Sequence, residues 1–252
     1  AYICTVKPPL MEESKDRPVI YFEHADIYNN GGRLVISDLT MSIGKGEFVY
    51  IIGEVGSGKT TLVNSMIHET EIKRGKAFIG EFDLIKLKKR QIPYLRRKFG
   101  IIPQENMLLM NRTVYENLEF VLRATGWKGR KVIENRIHTV LKAVGMENEA
   151  NKLPAKSGGE KQKIAIARAL INNPEIILAD EPTNNLDNNT AEEIMNLMMR
   201  INSSEDSPTI IMVTHNLGLF QKYPARTFLC DKLSCTEIHE ESEEQLDLSE
   251  FI

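Results

Sequence analysis

A phosphate-loop pattern constrains the fold of this chain more than any other feature. It consists of Gly53, Glu54, Val55, Gly56, Ser57, Gly58, Lys59 and Thr60, with Thr61 directly after it. These residues match GxxxxGK[ST]. The apolar run Phe48 to Ile52 precedes the pattern, and the helix-like stretch Thr60 to His68 follows it. The sequence therefore predicts a strand, a glycine-rich loop and a helix in the order that binds nucleotide phosphates.

Each residue type in the loop has a distinct role in binding phosphate. Glycines let backbone amides turn inward around phosphate oxygens, and the helix start adds the positive end of its dipole. Lys59 is expected to reach the β and γ phosphates, and the Thr60 hydroxyl to hold Mg²⁺. A chance glycine-rich turn is the bland alternative, and the strand and helix in register argue against it.

Two adjacent acids end a second apolar run. Residues 176–179 are followed by Asp180 and Glu181. Acids at the carboxyl ends of parallel strands lie where α/β sheets bind ligands. We expect Asp180 to hold the Mg²⁺ shell, and Glu181 to orient or deprotonate an attacking water. A solvated pair would be the better interpretation if no phosphate loop were present.

A third pattern places a glycine pair at a helix start. Its residues are Ser157, Gly158, Gly159 and Glu160. The pattern lies 98 residues after Lys59 and 23 before Asp180. It predicts another anion-binding helix N-terminus, which is weak alone and specific in combination. Ser157 with Glu160 also forms a capping-box pattern, as do Thr113 with Glu116 and Thr190 with Glu193.

The apolar pattern predicts an α/β fold. Residues 19–22, 48–52, 176–179 and 210–213 are short apolar runs typical of strands covered on both faces, and we expect them to form one buried sheet core. Helical periodicity lies between several of them, which favours a parallel sheet. Residues 1–17 are interpreted as an irregular lead-in, 18–236 as the folded domain and 237–252 as an acidic tail.

Charge and composition narrow the class of protein to which the chain can belong. The tail holds seven acids, which leaves residues 1–236 at about +4, with 32 basic and 28 acidic side chains. The run from Lys86 to Lys98 holds seven basic residues and no acid, and is interpreted as a solvated face rather than a lipid, nucleic-acid or acidic-partner contact. No apolar stretch approaches the roughly 20 residues of a membrane helix. The three cysteines match no zinc spacing, so we expect unpaired thiols in the cytoplasm.

The motifs together resemble the nucleotide-binding domain of ABC ATPases. The resemblance covers about Val19 to Cys230 and implies a P-loop NTPase of ABC type. Such a domain has a mainly parallel sheet core, an antiparallel β subdomain and a helical subdomain at about 107–151. Residues 53–60 look like Walker A, 176–181 like Walker B with Glu181 as the catalytic glutamate, and 157–162 like the signature motif, which closes over the ATP of the other subunit.

The resemblance also implies roles for single residues. Gln104 resembles the glutamine that senses Mg²⁺ and the γ phosphate and couples to a membrane partner. His215 resembles the switch histidine that contacts the γ phosphate, and residues 185–187 the D-loop. Tyr28 lies 25 residues before Gly53, where the family places an aromatic ring against adenine. Taken singly, each of these side chains has an ordinary structural interpretation.

A narrower likeness lies in two stretches, residues 87–100, LKKRQIPYLRRKFG, and 108–117, LLMNRTVYEN. Both are similar to the bacterial cell-division ATPase family FtsE. The likeness implies an FtsX-like integral membrane partner, a homodimer on ATP binding, and ATP cycles coupled to cell-wall hydrolases. It also implies a peripheral location on the cytoplasmic face of the inner membrane, with membrane contact mainly through the partner and no nucleic acid bound.

Three alternatives compete with this hypothesis. The ATPase of a lipoprotein-release or macrolide-export system shares much of the motif set. A DNA-repair or chromosome-organising ATPase needs a long coiled coil between Walker A and the signature, and 98 residues leave no room for one. A nucleotide-binding regulator with little turnover is suggested by Lys156, which stands before the signature serine where the family usually has leucine. Glu181 and His215 argue against that regulator.

Overall fold

The computed structural model describes residues 18–154, 157–205, 207–216, 218 and 222–238. The predicted lead-in, Lys156 and the tail from residue 239 onward lie outside these residues. In the described part of the chain, no helix combines the length and the apolar character needed to cross a membrane.

The described chain forms two sheets and six α-helices. The strands are β1 Ile20–Tyr28, β2 Leu34–Ile43, β3 Phe48–Ile52, β4 Glu71–Lys73, β5 Lys76–Ile79, β6 Phe82–Asp83, β7 Phe99–Ile102, β8 Ile176–Asp180, β9 Thr209–Val213, β10 Arg226–Asp231 and β11 Ser234–Ile238. The helices are α1 Lys59–Met66, α2 Ile92–Arg96, α3 Val114–Ala124, α4 Arg130–Ala143, α5 Gly158–Leu170 and α6 Asn188–Asn202, with a 3-10 turn at Lys89–Gln91. Strand β11 thus runs two residues past the predicted domain boundary at 236.

The larger sheet has the order β11-β10-β3-β9-β8-β7. Its strand pairs are parallel except β10 with β11, which form an antiparallel hairpin. The predicted strands at 48–52, 176–179 and 210–213 are its centre and are buried on both faces. The mainly parallel sheet is therefore confirmed.

The fourth apolar run lies elsewhere, so the prediction that it joins the same sheet core is wrong. Residues 19–22 lead into β1, which pairs antiparallel with β2, β4 and β5 in the smaller sheet. Over β1 buried residues alternate with half-buried or exposed ones, as in a sheet that is packed mainly on one face. The apolar content of the run reflects this packed face.

Two apolar clusters sandwich the larger sheet. Tyr50 and Ile52 of β3 pack with the cluster that contains α3 to α6, while Val49 and Ile51 pack with the smaller sheet and α1. Because successive side chains of a strand point to opposite faces, one buried strand serves both clusters. The strand ends are thus held from both sides.

The predicted capping box is confirmed in full for one of the three helices, α3. Thr113 caps α3 by accepting from the Glu116 amide at 3.1 Å, and the Glu116 carboxylate accepts from the Thr113 amide at 2.7 Å. Helix α5 begins after Ser157 as expected, but the Ser157 side chain makes no capping bond. The predicted box at Thr190 is wrong, because Asp187 accepts from the Thr190 amide and starts α6 at Asn188.

The thiols of Cys230 and Cys235 are free and buried, facing each other across the β10–β11 hairpin with sulfurs 3.0 Å apart. The hydrogen bond with Cys230, and then burial, raise the pKa of the Cys235 thiol.

Candidate functional site

The carboxyl ends of the parallel strands bring the predicted site residues to one edge of the larger sheet. Ile51 of β3 is in register with Val213 of β9, and Val213 with Asp180 of β8. The chain leaves these strands at Gly53, Glu181 and Thr214. Ligands of open α/β sheets bind at such an edge. Sequence motifs separated by more than a hundred residues therefore meet there.

The phosphate loop is held by two glycines in conformations that other residues avoid. Gly53 has φ 141° and Gly58 φ 105°. A Cβ at Gly53 would overlap the backbone carbonyl of Cys230 in β10, and one at Gly58 would lie 2.5 Å from Cγ1 of Val35. The pattern thus needs glycine at both positions because of backbone geometry and of close neighbours.

Lys59 crosses the inside of this loop. Its Nζ donates to the carbonyl oxygens of Gly53 at 2.6 Å and Glu54 at 2.7 Å, and the side chain is buried. Burial lowers the pKa of Lys59, while the carboxylates of Glu181 and Asp180 oppose that shift. The ammonium is thereby kept inside the loop, beside the acids at the end of β8.

Asp180 and Glu181 have different environments. Burial and then the neighbouring Glu181 raise the pKa of Asp180, against the effect of Lys59. Glu181 has φ 50°, and its amide donates to the Val213 carbonyl at 2.9 Å. Positive φ in a non-glycine residue is uncommon and concentrates at functional sites. The strained bend turns the Glu181 carboxylate toward His215, whose Nδ1 lies 2.7 Å from Oε1.

A cleft of about 400 Å³ opens over the phosphate loop. It is lined by Asn29, Arg33, Leu34, Val35, Gly56, Ser57, Gly58, Lys59, Thr60, Thr61, Lys232 and Leu233. Within the described chain, the hydroxyl oxygen of Ser57 is buried without a hydrogen-bond partner. A buried polar atom without a partner is costly, and an anion in the cleft would be a suitable ligand. The loop residues therefore fit the phosphates of a nucleoside triphosphate.

Some predicted binding residues lie outside this lining. Gly53, Glu54 and Val55 are not part of it, and the Val55 side chain is almost fully exposed. Tyr28 is absent too; the Lys73 ammonium lies 4.5 Å from the centre of its ring. The contact of Tyr28 with adenine stays a prediction.

The predicted signature residues form a separate surface. Ser157, Gly158 and Glu160 are exposed at the start of α5 and do not line the cleft, while Gly159 is buried. A Cβ at Gly159 would lie 2.6 Å from the Thr190 methyl group, so the glycine allows α5 to pack closely on α6. The structure thus leaves the other three residues available to a second molecule.

Gln104 follows β7 at the same sheet edge as Asp180, since Ile102 is in register with Ala179. Gln104 itself is exposed. The segment that follows Gln104 in sequence is fixed by Arg168 of α5. The Arg168 side chain donates to the carbonyls of Asn106 at 2.7 Å and Met107 at 2.9 Å. Sequence reasoning missed this link, because a single arginine in a helix carries no pattern.

The predicted Mg²⁺ ligands can be tested by their chemistry. Thr60 is exposed in the cleft, Asp180 is the last residue of β8, and Gln104 lies two residues beyond the end of β7. The described residues contain no cluster of three or more His, Cys, Asp or Glu side chains suited to a metal. Mg²⁺ is usually held by one or two protein oxygens together with phosphates and water, so a hydroxyl and a carboxylate fit it.

Cleft residues outside the phosphate loop were also missed. Arg33, Leu34 and Val35 come from the start of β2 and the turn before it, and Lys232 and Leu233 from the turn between β10 and β11. That turn has neither of the residues, asparagine and glycine, that usually mark a two-residue hairpin.

The fold and the site define an ATP-binding cassette. The family model described as ABC transporter matches residues 36–184, more than half of the chain. The chain belongs to the ABC transporter family and is an ABC-type ATPase.

Curated relatives narrow the likeness to cell division. Over 190 residues the chain is 43% identical to the cell division ATP-binding protein FtsE of Streptococcus pneumoniae, covering 75% of this chain and 81% of the relative. It is 37% identical to FtsE of Escherichia coli over 205 residues, covering 81% and 91%. The predicted similarity to FtsE is confirmed.

Solved structures confirm the fold. The ATP-binding cassette MJ0796, a dimer in a post-hydrolysis state bound to ADP and Pi, matches with TM-score 0.74 and 32% identity over 87% of this chain and 97% of that one. The cbiO1 protein of Clostridium perfringens, part of the ABC transporter complex cbiONQ, matches with TM-score 0.82 and 25% identity over 92% of each chain.

Proposed function

We propose that this ATPase is the nucleotide-hydrolysing subunit of an FtsEX-like complex, in which ATP cycles act through a membrane partner to activate cell-wall hydrolases. The observation that carries the proposal is a set of exposed apolar side chains between residues 101 and 120, on either side of Gln104 in sequence, in a chain similar to FtsE proteins. We call it the arm surface. It consists of Ile101, Met107, Leu109, Met110 and Phe120.

Exposure of the arm surface calls for a partner. Met107 is 74% exposed and Phe120 63%. Large apolar groups gathered on a protein surface mark interaction sites. By resemblance to the family, the coupling glutamine and the helical subdomain would lie at the membrane partner. A cytoplasmic helix of an FtsX-like protein is therefore the proposed occupant, and membrane contact is mainly through it, on the cytoplasmic face of the inner membrane.

The arm surface is also held in shape. Asn117 of α3 accepts from the Leu109 amide at 2.8 Å and donates to the carbonyls of Leu109, Arg112 and Thr113 at 3.1, 3.3 and 2.9 Å. Asn117 is buried. These hydrogen bonds fix the backbone of the loop that carries Leu109 and Met110, which lowers the cost of ordering that loop on binding.

Within the site we assign the predicted roles as follows. Lys59 and the loop amides hold the phosphates, while Thr60 and Asp180, together with Gln104, would hold Mg²⁺. Bound Mg²⁺ would neutralise charge on the phosphates. Glu181 orients the attacking water and accepts its proton, and His215 holds the Glu181 carboxylate and contacts the γ phosphate. Their hydrogen bond of 2.7 Å supports a joint role.

ATP is proposed to close a homodimer. The exposed Ser157, Gly158 and Glu160 provide an anion-binding helix start that does not face the cleft of their own chain. In a dimer they would complete the cleft of the second molecule. The dimer reported for MJ0796 supports this arrangement.

The test is purification of the tagged protein from bacterial membranes, followed by mass spectrometry. Recovery of a four-span FtsX-like protein, and a division defect on depletion that only a hydrolysing form repairs, would support the proposal. Recovery of a lipoprotein-release or macrolide-export permease would favour the transporter alternative. A protein that repairs the defect without releasing phosphate would favour the regulator.

A further inference from the structure

One wall of the cleft does not come from the phosphate loop. Lys232 and Leu233, in the turn between β10 and β11, line the cleft together with Leu34 and Val35 of β2. The turn is fastened to β2, because the Ser37 amide donates to the Leu233 carbonyl at 2.7 Å. Outside the phosphate loop, the lining thus combines three apolar residues, Leu34, Val35 and Leu233, with three polar ones, Asn29, Arg33 and Lys232.

The backbone of this turn is strained. Lys232 has φ 41° and Leu233 φ 72°. A two-residue hairpin turn with positive φ at both positions favours Asn-Gly, because a Cβ is unfavourable there. A leucine with positive φ is a clear outlier, and such strain concentrates at ligand sites. Glycine at residue 233 would relieve this strain.

The Leu233 side chain is 47% exposed, on the wall of a concave site. Leu34 and Val35 are half-buried beside it. The Lys232 side chain is 91% exposed, with the Asp231 carboxylate 3.8 Å from its ammonium. Leu34, Val35 and Leu233 lie next to the phosphate loop, and together they fit a ligand that has a charged end and a flat, poorly hydrated end.

We propose that Leu233 raises nucleotide affinity by packing against the base of the bound nucleotide, with Lys232 at the rim. The inference rests on the nucleotide binding proposed for this cleft. Because residues 56–61 are proposed to bind the phosphates, the base and the sugar would contact the other residues that line the cleft. The strain at residue 233 is retained since a glycine there would offer the base no contact.

The test is Leu233→Gly, with ATP and inorganic tripolyphosphate as the two probes in calorimetry. ATP affinity is expected to fall about three- to tenfold, the range for losing part of a leucine contact. Tripolyphosphate affinity should stay unchanged because it has no base. The midpoint of thermal unfolding should rise by about 2 to 4 °C, since glycine relieves the strain. Leu233→Asn, which tolerates positive φ, should give the same loss for ATP.

His68→Gly is the matched control. His68 also has positive φ, 56°, and lies beyond the end of α1, away from the cleft lining. Its replacement should leave both affinities unchanged. Unchanged ATP affinity in both Leu233 variants would overturn the proposal, as would equal losses for the two probes. Lys59→Ala separates the two hypotheses: if it keeps full affinity for both probes, nucleotide binding in this cleft is itself refuted.

Discussion

His215 and Glu181 are joined by a hydrogen bond of 2.7 Å between Nδ1 and Oε1, although 34 residues and a complete helix separate them in sequence. The Glu181 side chain is 11% exposed and that of His215 55%. The histidine therefore lies between the solvent and a nearly buried carboxylate.

Glu181→Gln is expected to bind ATP and to lose hydrolysis by at least about 100-fold, because the amide cannot accept the proton of the attacking water. With Mg-ATP, but not with ADP, the variant should form a dimer. Phosphate release and light scattering measure the two effects. Wild-type hydrolysis by the variant would remove Glu181 from the proposed role. A monomer with every nucleotide would mean that closure needs the membrane partner.

His215→Ala should lower the hydrolysis rate by about 10- to 100-fold with little change in ATP affinity, since it frees the Glu181 carboxylate from its hydrogen bond. His24→Asn serves as the control, because His24 is exposed and pairs with Asp38 in the smaller sheet. Steady-state kinetics separate kcat from KM. Equal rates for the two variants would contradict the role of His215.

Asp180→Asn should abolish Mg-dependent hydrolysis while stabilising the nucleotide-free protein at pH 7 by about 2 °C in Tm. The pKa of Asp180 is raised above its ordinary value by burial. Between the unfolded and the folded pKa the folded state binds more protons, so stability falls as pH rises through this window. The gain should therefore shrink as pH is lowered toward 4. Thermal melts of both proteins across pH test this, and a gain that grows toward low pH would contradict it.

Gly53→Ala should destabilise the protein by about 2 kcal/mol or more and abolish tight ATP binding, because positive φ and overlap with the Cys230 carbonyl act together. Gly80→Ala isolates the first cause. Gly80 has φ 52° with no atom within 4 Å of an added Cβ. That control should cost about 1 kcal/mol and keep ATP binding. Denaturant melts and calorimetry would show whether the two variants differ.

Phe120→Glu should release the protein from membrane fractions without changing ATP affinity, because a charge would be placed in the apolar interface proposed for the arm surface. Reversal of Lys88, Lys89 and Arg90 provides the comparison. These three are exposed in the basic run. If only the reversal releases the protein, attraction to anionic lipid explains its location better than a partner helix.

Much of this architecture could be predicted from the sequence, because phosphate loops and buried parallel strands depend on local residue types. Glycines at 53 and 58 are required by φ, and residues 48–52 are apolar because both faces of β3 are covered. Strand β10 was missed because its place beside β3 depends on contacts with that strand, not on its own pattern. Arg168, Lys232 and Leu233 were missed for the same reason.

The close approach of Gly53 to β10 brings together two segments that the ribosome makes at different times. The phosphate loop lies against the Cys230 carbonyl, and Cys230 is added to the chain 177 residues after Gly53. At about 5 to 20 residues per second, the ribosome exposes the loop about 10 to 35 s before the strand that supports it. The contact between the phosphate loop and β10 can therefore form only late in synthesis, after most of the domain has been made.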